Sequence, residues 1–421
     1  MKMNMLEIVN LARRIEKRLP AESVKLLKKA GEVANSQQQR VYLVGGMVRD
    51  LLLGRDNQDI DLVVEGNAVN LAEALAENRQ AKITRHPRFG TAKVQWDGAS
   101  IDIASARAEN YAKPGALPTV KPGTIGNDLA RRDFTINAIA IELNPRHFGE
   151  ILDPHNGRYD LEHGLVRVLH TKSFIDDATR IWRAIRYEQR LDFQLELATF
   201  ELLKQSKVWL ATISGDRTRH EVELILKEEV PEKTLCRADE LGVLTSLHPS
   251  LKGDTWLAET FTLAREEALP GVPSAQLYLA LMIYRLTATE TEQLIEYLRI
   301  PKAVTQILHD SATIKGKIEE LTPNGLPPSR IYNLLHGYNT TALTANMLAV
   351  NDDTAEEHFE LYLNVLKNVR TSLKGEDIKE LGIKSGPKIK EVLNQLQDAK
   401  LDGLVSTRRE EVAMVRGMVG K

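Results

Sequence analysis

The chain holds a single cysteine, Cys236, so no internal disulfide forms and no disulfide partner is expected. It lacks an apolar run of about 18 residues and a charged-then-apolar leader, which argues against membrane insertion and secretion and for a reducing, cytoplasmic setting. Aromatic residues are only 5% of the 421 positions, too little stacking surface for a module that reads single-stranded RNA by sequence. Neither charge is in excess: 56 Lys and Arg face 58 Asp and Glu, a formal charge of -2, so a nucleic-acid partner must be held by locally concentrated positive charge. No fixed-period repeat or low-complexity tract is present, and the histidines are scattered without metal-ligand spacing. What remains is ordinary globular composition, 43% hydrophobic and 27% charged, in a chain long enough for roughly three domains.

The first 36 residues space apolar positions for two short helices, an N-terminal helical extension over 1–36. Residues 37–165 mix strands and helices. Val41 to Val44 reads as a buried strand, Gly45-Gly46 as a turn, Met47 to Leu53 as a short helix closed by Gly54, and Ile60 to Val64 as a second strand. A helix near Ala68 to Glu77 follows, then strands over Lys93 to Trp96 and Ser100 to Ile103 around an Asp97-Gly98 hairpin turn. Asn110 to Gly126, rich in Pro and Gly, reads as a long loop. Beyond about Leu165 the strand signals nearly vanish. Residues 166–250 and 251–421 are expected to be helical, with breaks near Ser250 to Trp256 and Leu321 to Pro328.

The segment richest in chemistry is Leu43-Val44-Gly45-Gly46-Met47-Val48-Arg49-Asp50, followed by Asp59-Ile60-Asp61-Leu62. Gly45 and Gly46 remove side chains where a phosphate chain must approach backbone amides at a helix start, and Arg49 is near enough to add a charged contact. Asp59 and Asp61, two apart on a strand, face one side and can share a hard cation such as Mg²⁺, with Asp102 completing the acidic face. Metals held there would activate an attacking hydroxyl and stabilise a leaving pyrophosphate. The same residues also fit solvated carboxylates at a strand end beside an ordinary turn. Asp128 to Ala138 carries Arg131-Arg132, of which Arg132 is placed to reach triphosphate oxygens, while Asp133 also fits a helix cap.

In this order the segments resemble the class II tRNA nucleotidyltransferases and their poly(A) polymerase relatives. Leu43 to Asp50 with Asp59 and Asp61 resembles the family's first motif, Arg131 to Ala138 its second, and Asp153-Pro154 to Leu161 its third. Ser173 to Tyr187 resembles the fourth and Arg217 to Leu226 the fifth. The resemblance implies an α+β polymerase-β-like nucleotidyltransferase head over 37–165, a base-recognising helical neck over 166–250, and an all-α body and tail. It further implies Mg²⁺ on Asp59 and Asp61, ATP and CTP as substrates, and the 3′ end and elbow of tRNA as partner. Asp59, Asp61 and Asp102 would be catalytic, with Gly45, Gly46, Arg49 and Arg132 holding the triphosphate. Asp177 and Arg180, three apart on a helix and so neighbours on one face, would read the base, and Arg183 and Arg186 would approach the triphosphate or frame the pocket.

The tail segment Glu380 to Lys390 sets glycines at a turn, Pro387 at a helix start and lysines around them, which suits a backbone-phosphate clasp and equally a solvated surface turn. It resembles the family's tRNA-elbow segment, so Lys384, Lys388, Lys390, Arg408 and Arg409 are the expected tRNA contacts. Enzymes adding CCA, the terminal A alone or CC alone share these motifs. The full-length Asn110 to Gly126 loop leans away from CC-only addition. A poly(A) polymerase would carry a more basic tail, and a nucleotidyltransferase for a small acceptor would not need the tail.

Overall fold

The computed structural model describes residues 10–77, 81–86, 90–96, 99–110, 112, 114–116, 118–383 and 386–419; the expected Asp97-Gly98 turn and Lys384 lie outside them. The chain divides into two compact units, with the division after Glu221.

The first unit begins with α1 (Ala12–Arg18) and α2 (Ala21–Ser36), then alternates β1 (Arg40–Val44), α3 (Gly46–Leu53), β2 (Ile60–Glu65), α4 (Ala68–Ala76), β3 (Lys82–His86), β4 (Thr91–Trp96) and β5 (Ala99–Ser105). A small hairpin of β6 (Arg107–Asn110) and β7 (Thr119–Pro122) leads to α5 (Ile125–Ala130), β8 (Ala140–Glu142) and β9 (Ile151–Leu152). Then come α6 (Gly157–His163), α7 (Ser173–Asp176), α8 (Thr179–Leu191), α9 (Leu197–Ser206) and α10 (Gly215–Ile225). Seven strands form one sheet in the order β3-β4-β5-β2-β1-β8-β9, in which β2 and β5 run parallel and the other neighbours antiparallel.

Period-two patterning sorts the sheet into two faces. Helices α2 and α4 pack on β1, β3, β4 and β5, over a face that buries Val41, Leu43, Leu62 and Ile103. On the other face Tyr42, Val44, Val63 and Ala140 pack with Ile125 and Leu129 of α5. Strand β2 is buried along this stretch except at Asp61, its one exposed position. A polar residue in an otherwise apolar strand thus marks where the second face opens.

One expectation is refined here and one corrected. The two helices expected within 1–36 form as α1 and α2, and they belong to the first unit's core: Leu11, Ile15, Leu26 and Leu27 are buried and α2 packs on β1 and α4. The contact is close enough that a Cβ on Gly31 would lie 1.8 Å from the Leu143 carbonyl oxygen. Gly31→Ala is therefore expected to destabilise the unit by about 1–3 kcal/mol or more, read as a lower thermal midpoint with residual activity below it. The Asn110 to Gly126 stretch is also not loop throughout: β7 pairs with β6 from Arg107↔Pro122 to Asn110↔Thr119, and Thr124 with Asn127 forms the capping box that starts α5. Pro122 ends the strand and Gly123 turns the chain, so punctuation that reads as a loop frames a hairpin.

In the second unit, helices α11 (Pro231–Glu240), α12 (Thr255–Glu267), α13 (Ala275–Ile283), α14 (Ala288–Leu298) and α15 (Lys302–Lys315) precede α16 (Pro328–Leu335), α17 (Thr340–Ala349) and α18 (Asp353–Asn364). Its last helices are α19 (Gly375–Glu380), α20 (Gly386–Leu401) and α21 (Arg408–Val419). Helix α13 is buried from Leu277 to Ile283, which fits its lack of an amphipathic pattern. The last three helices enclose a small core of their own around Ile378, Ile389, Leu396 and Val415. Among the described residues no helix is long and apolar enough to cross a membrane.

Candidate active site

At the end of β1, Gly45 adopts φ 74°, a left-handed conformation that favours glycine, and caps α3. A Cβ there would lie 3.2 Å from Arg132 Nη1 and 3.6 Å from Asp61 Oδ2, so the glycine leaves space between a guanidinium and a carboxylate. Arg132 is fixed from behind by Asp128, fully buried, which accepts from its Nε at 3.3 Å and Nη2 at 3.0 Å. Asp128 also accepts from Arg131, whose Nη1 reaches Glu109 of β6 at 3.0 Å.

The pair expected to read the base is built differently from the sequence expectation. Asp177 is not on a helix but in the break between α7 and α8, with extended backbone at φ -144° and ψ 99°. Its Oδ1 accepts from Thr179 N at 3.0 Å, Thr179 Oγ1 at 2.7 Å and Arg217 Nη2 at 2.8 Å. Aspartate competes for backbone amides at helix starts, which is why the helix restarts after it. Arg180, buried in the first turn of α8, donates from Nη1 to Ser173 Oγ at 2.7 Å and from Nη2 to the Arg131 carbonyl at 2.8 Å. Arg183 donates to Asp133 at 2.9 and 2.6 Å, and despite burial this pairing holds the Asp133 carboxyl down at about 2.

These groups line one cavity of about 660 Å³ that brings together Gly45, Gly46, Asp61, Arg132, Asp177, Arg180 and Arg183. Two residues sit outside it: Arg49, expected to hold the triphosphate, and Arg186, expected to approach the triphosphate or frame the pocket. Arg49 is 2% exposed, donating to Asp50 at 2.8 and 2.9 Å and to Asn137 at 2.9 Å, with its guanidinium 5.2 Å from the Tyr187 ring centre. Arg186 is likewise buried, 5.1 Å from the same ring. Both buttress the wall from behind; neither is placed to meet a phosphate. Asp59 is exposed beside the start of β2, and Asp102 pairs in register with Asp61 while its Oδ2 accepts from Lys93 Nζ at 2.8 Å.

Among the described residues no three His, Cys, Asp or Glu side chains converge as a ready metal shell. The residues nevertheless fit Mg²⁺, which needs one or two carboxylates and completes its shell with water and substrate phosphates. Crowding by protein and then the Asp102 charge push the Asp61 carboxyl up to about 6, against the pull of Arg132 and with Asp59 adding to the rise. Such mutual repulsion among hard oxygen donors is what a divalent cation relieves.

In the tail, Lys388 and Lys390 are exposed on the first turns of α20, and Arg409 is exposed on α21. Arg408 is exposed too, but donates to Asp377 at 2.6 Å and to the Ser372 carbonyl at 3.1 Å, so it ties the tail together. Sequence reasoning gave no role to Asp128, Glu109, Tyr187 or Arg217. Arg217 opens the fifth motif segment, which was the available signal for it; Glu109 and Tyr187 act in part through distant partners that spacing does not expose, Arg131 for Glu109 and Arg49 for Tyr187.

Comparison with known proteins places the chain in a family. Residues 41–167 match the poly A polymerase head domain, and residues 192–254 match the probable RNA- and SrmB-binding site of polymerase A. An A-adding tRNA nucleotidyltransferase of Halalkalibacterium halodurans is 34% identical over 94% of this chain and 93% of its own length. One from Geobacter sulfurreducens is 34% identical over 96% of this chain, which spans about half (48%) of that relative. A CCA-adding enzyme solved with ATP superposes with a TM-score of 0.81 at 32% identity, covering 98% of this chain and 99% of that one. The Thermotoga maritima CCA-adding enzyme complexed with tRNA_CCA gives 0.77 at 32% identity, covering 97% and 98%. With a site of this build and relatives matched along nearly the whole chain, the protein belongs to the tRNA nucleotidyltransferase and poly(A) polymerase family.

Proposed function

We propose that this chain adds the terminal adenosine to tRNA, transferring AMP from ATP to the 3′ hydroxyl of an acceptor ending in CC and releasing pyrophosphate. The observation that carries the reading is what the base-reading pair has left to offer. Asp177 has Oδ1 committed three times over and Oδ2 unengaged among the described residues. Arg180 spends one N–H of each terminal nitrogen on the protein and keeps donor hydrogens, Nε–H among them. One acceptor beside one donor complements the amino group and ring nitrogen of adenine, and the same pair on cytosine. Guanine and uracil present the reverse pattern and leave both protein groups unpaired, a large penalty in a desolvated pocket.

Around the triphosphate, Arg132 and Arg183 are held rigid by Asp128 and Asp133, so their charge is in place before the phosphates arrive. The glycine pair opens backbone amides at the start of α3 to the phosphate chain. Asp59 and Asp61 would hold Mg²⁺, which when bound lowers the pKa of the attacking hydroxyl and neutralises charge on the leaving pyrophosphate.

Terminal-A addition is favoured over the other members' activities because the A-adding relatives match at 34% along nearly all of this chain. Complete CCA addition is the second reading, supported by the CCA-adding structural neighbours and by the common edge of A and C. Incorporation of labelled CTP and ATP into transcripts ending before CCA, after C and after CC separates them. A on the CC-ending transcript alone supports the proposal; C then A on the shortest establishes the second reading.

Exposed Lys388, Lys390 and Arg409 give the tail its role of holding RNA phosphates. Affinity for tRNA is expected to fall about 10-fold or more between 50 and 200 mM salt, with a shallower slope for the Lys388→Ala, Lys390→Ala double variant, measured by filter binding. A slope unchanged by that substitution places the phosphate contacts elsewhere.

A further inference from the structure

A cavity of about 320 Å³ lies between α13, α14 and α15, built wholly from residues 280–316 and so within the second unit. Buried Ile283, Leu286 and Leu308 supply apolar wall, while Ala280, Ala288 and Ala312, one from each helix, are too short to close the gap. Packed helices fill their interiors to crystal-like density, so an apolar-walled space of this size leaves its lining short of dispersion partners. Its volume falls at the small end of the range that organic ligands occupy.

Among the described residues Lys315, at the end of α15, is the one charged side chain in the lining. Its Nζ donates to the Tyr284 carbonyl at 2.6 Å and stands 4.9 Å from the centre of the Tyr284 ring. An ammonium carries three donors, so two remain. Acids on the flanking helices are held elsewhere: Glu290 accepts from Thr287 N at 2.8 Å, Glu292 pairs with His309, and Asp310 accepts from Gln306 Nε2 and Asn339 N, each at 2.8 Å. Burial pushes the Lys315 ammonium down, with no carboxylate drawing it back. Four residues before Lys315, and so on the same face of α15, Ser311 also lines the cavity; its Oγ accepts from Asn346 Nδ2 at 3.2 Å and keeps its own hydrogen to donate.

A single uncompensated cation with spare donors, beside a hydroxyl and facing apolar wall, matches a ligand with one negative charge and an apolar body. We propose that this cavity binds an apolar monocarboxylate, a short fatty acid in type, with the carboxylate on Lys315 and Ser311 and the tail against Ile283, Leu286 and Leu308. One carboxylate balances one ammonium and takes charge-assisted hydrogen bonds from it. A phosphate dianion or a nucleotide would bring more charge than this site has cations to meet. The tail replaces water on apolar wall, which adds affinity in proportion to the area covered.

The test titrates octanoate and octanamide, which share a tail and differ in charge, into the full chain at about pH 7 by calorimetry, where the acid is ionised. Wild type is expected to bind one octanoate, about 10-fold more tightly than octanamide. Lys315→Met should bring octanoate to the level of the amide, and Lys315→Arg should keep the preference for the acid. Ala312 is exposed at the rim, so Ala312→Trp fills the space without touching the charge and should abolish binding of both probes. Wild type that binds neither probe, or both equally, overturns the proposal, as does octanoate binding that survives Ala312→Trp. Should Lys315→Met not fold, the comparison of acid with amide and the Ala312→Trp variant still decide. The readout is binding alone, so its outcome is independent of nucleotide transfer.

Discussion

Asp61→Asn is expected to lower nucleotide incorporation by on the order of 1,000-fold with ATP affinity nearly unchanged, because the substitution removes a charge that acts on the reacting phosphorus and not on the base. The same variant tests the electrostatics in a second way. The Asp61 carboxyl is pushed up to about 6, above the ordinary Asp value near 4 in an unfolded chain. Whatever stability this group contributes is present below about pH 4 and lost as pH rises through 6, so at pH 7 the ionised carboxylate weighs against the fold. Asp61 is exposed, so screening keeps the effect small. In metal-free buffer at pH 7, Asp61→Asn should melt about 1–2 °C higher than wild type, and the difference should vanish near pH 4. A variant that keeps full incorporation, or that melts lower at pH 7, contradicts the placement of Asp61 among repelling carboxylates.

Asp177→Asn is expected to lower ATP incorporation about 100-fold and to relax discrimination against UTP. The direction follows from the three donors at Oδ1: Thr179 N–H, the Thr179 hydroxyl and Arg217 Nη2 all require an acceptor. The asparagine oxygen must therefore take that place, which forces its NH₂ into the position of Oδ2, the atom proposed to face the base. A donor there repels the amino group of adenine and cytosine and suits the O4 of uracil, but Arg180 Nε still presents a donor to uracil N3–H, so discrimination weakens without inverting. Loss of an Asp–Arg support at one remove should give a milder form of the same phenotype: Arg217→Ala raises UTP misincorporation while Arg217→Lys largely preserves selectivity. Single-turnover incorporation of each of the four nucleotides measures both effects. Equal losses for all four nucleotides would mean that Asp177 supports the fold and does not read the base.

The line between what was legible in the sequence and what was not follows the range of the interactions. Local patterning located β1, Gly45-Gly46, α3 and β2, since each rests on neighbouring residues: a buried run, a left-handed glycine, an αL cap at Gly54. It also selected Asp61 and Arg132, and the family resemblance added Asp177, Arg180 and Arg183; the structure gathers all five around one cavity. It misjudged Arg49, because an arginine at a helix start looks the same whether it faces a phosphate or, as here, Asp50 and Asn137. It misplaced Asp177 because the three-residue spacing to Arg180 fits a helix equally well as a capped break. Asp102 shows the opposite case. The two-residue connection between β4 and β5 sets Trp96 against Ala99, and that register alone carries Lys93 to Asp102. The ion pair was therefore implicit in the strand register, although an acidic face was the simpler expectation.

The most direct test of the account is pyrophosphate release from ATP with a CC-ending tRNA whose terminal diol is either intact or destroyed by periodate oxidation. The account predicts one pyrophosphate released per adenosine incorporated with the intact tRNA in Mg²⁺, and none with the oxidised tRNA or without RNA. Equal release from both tRNAs would show that the attacking group is not the terminal hydroxyl of tRNA.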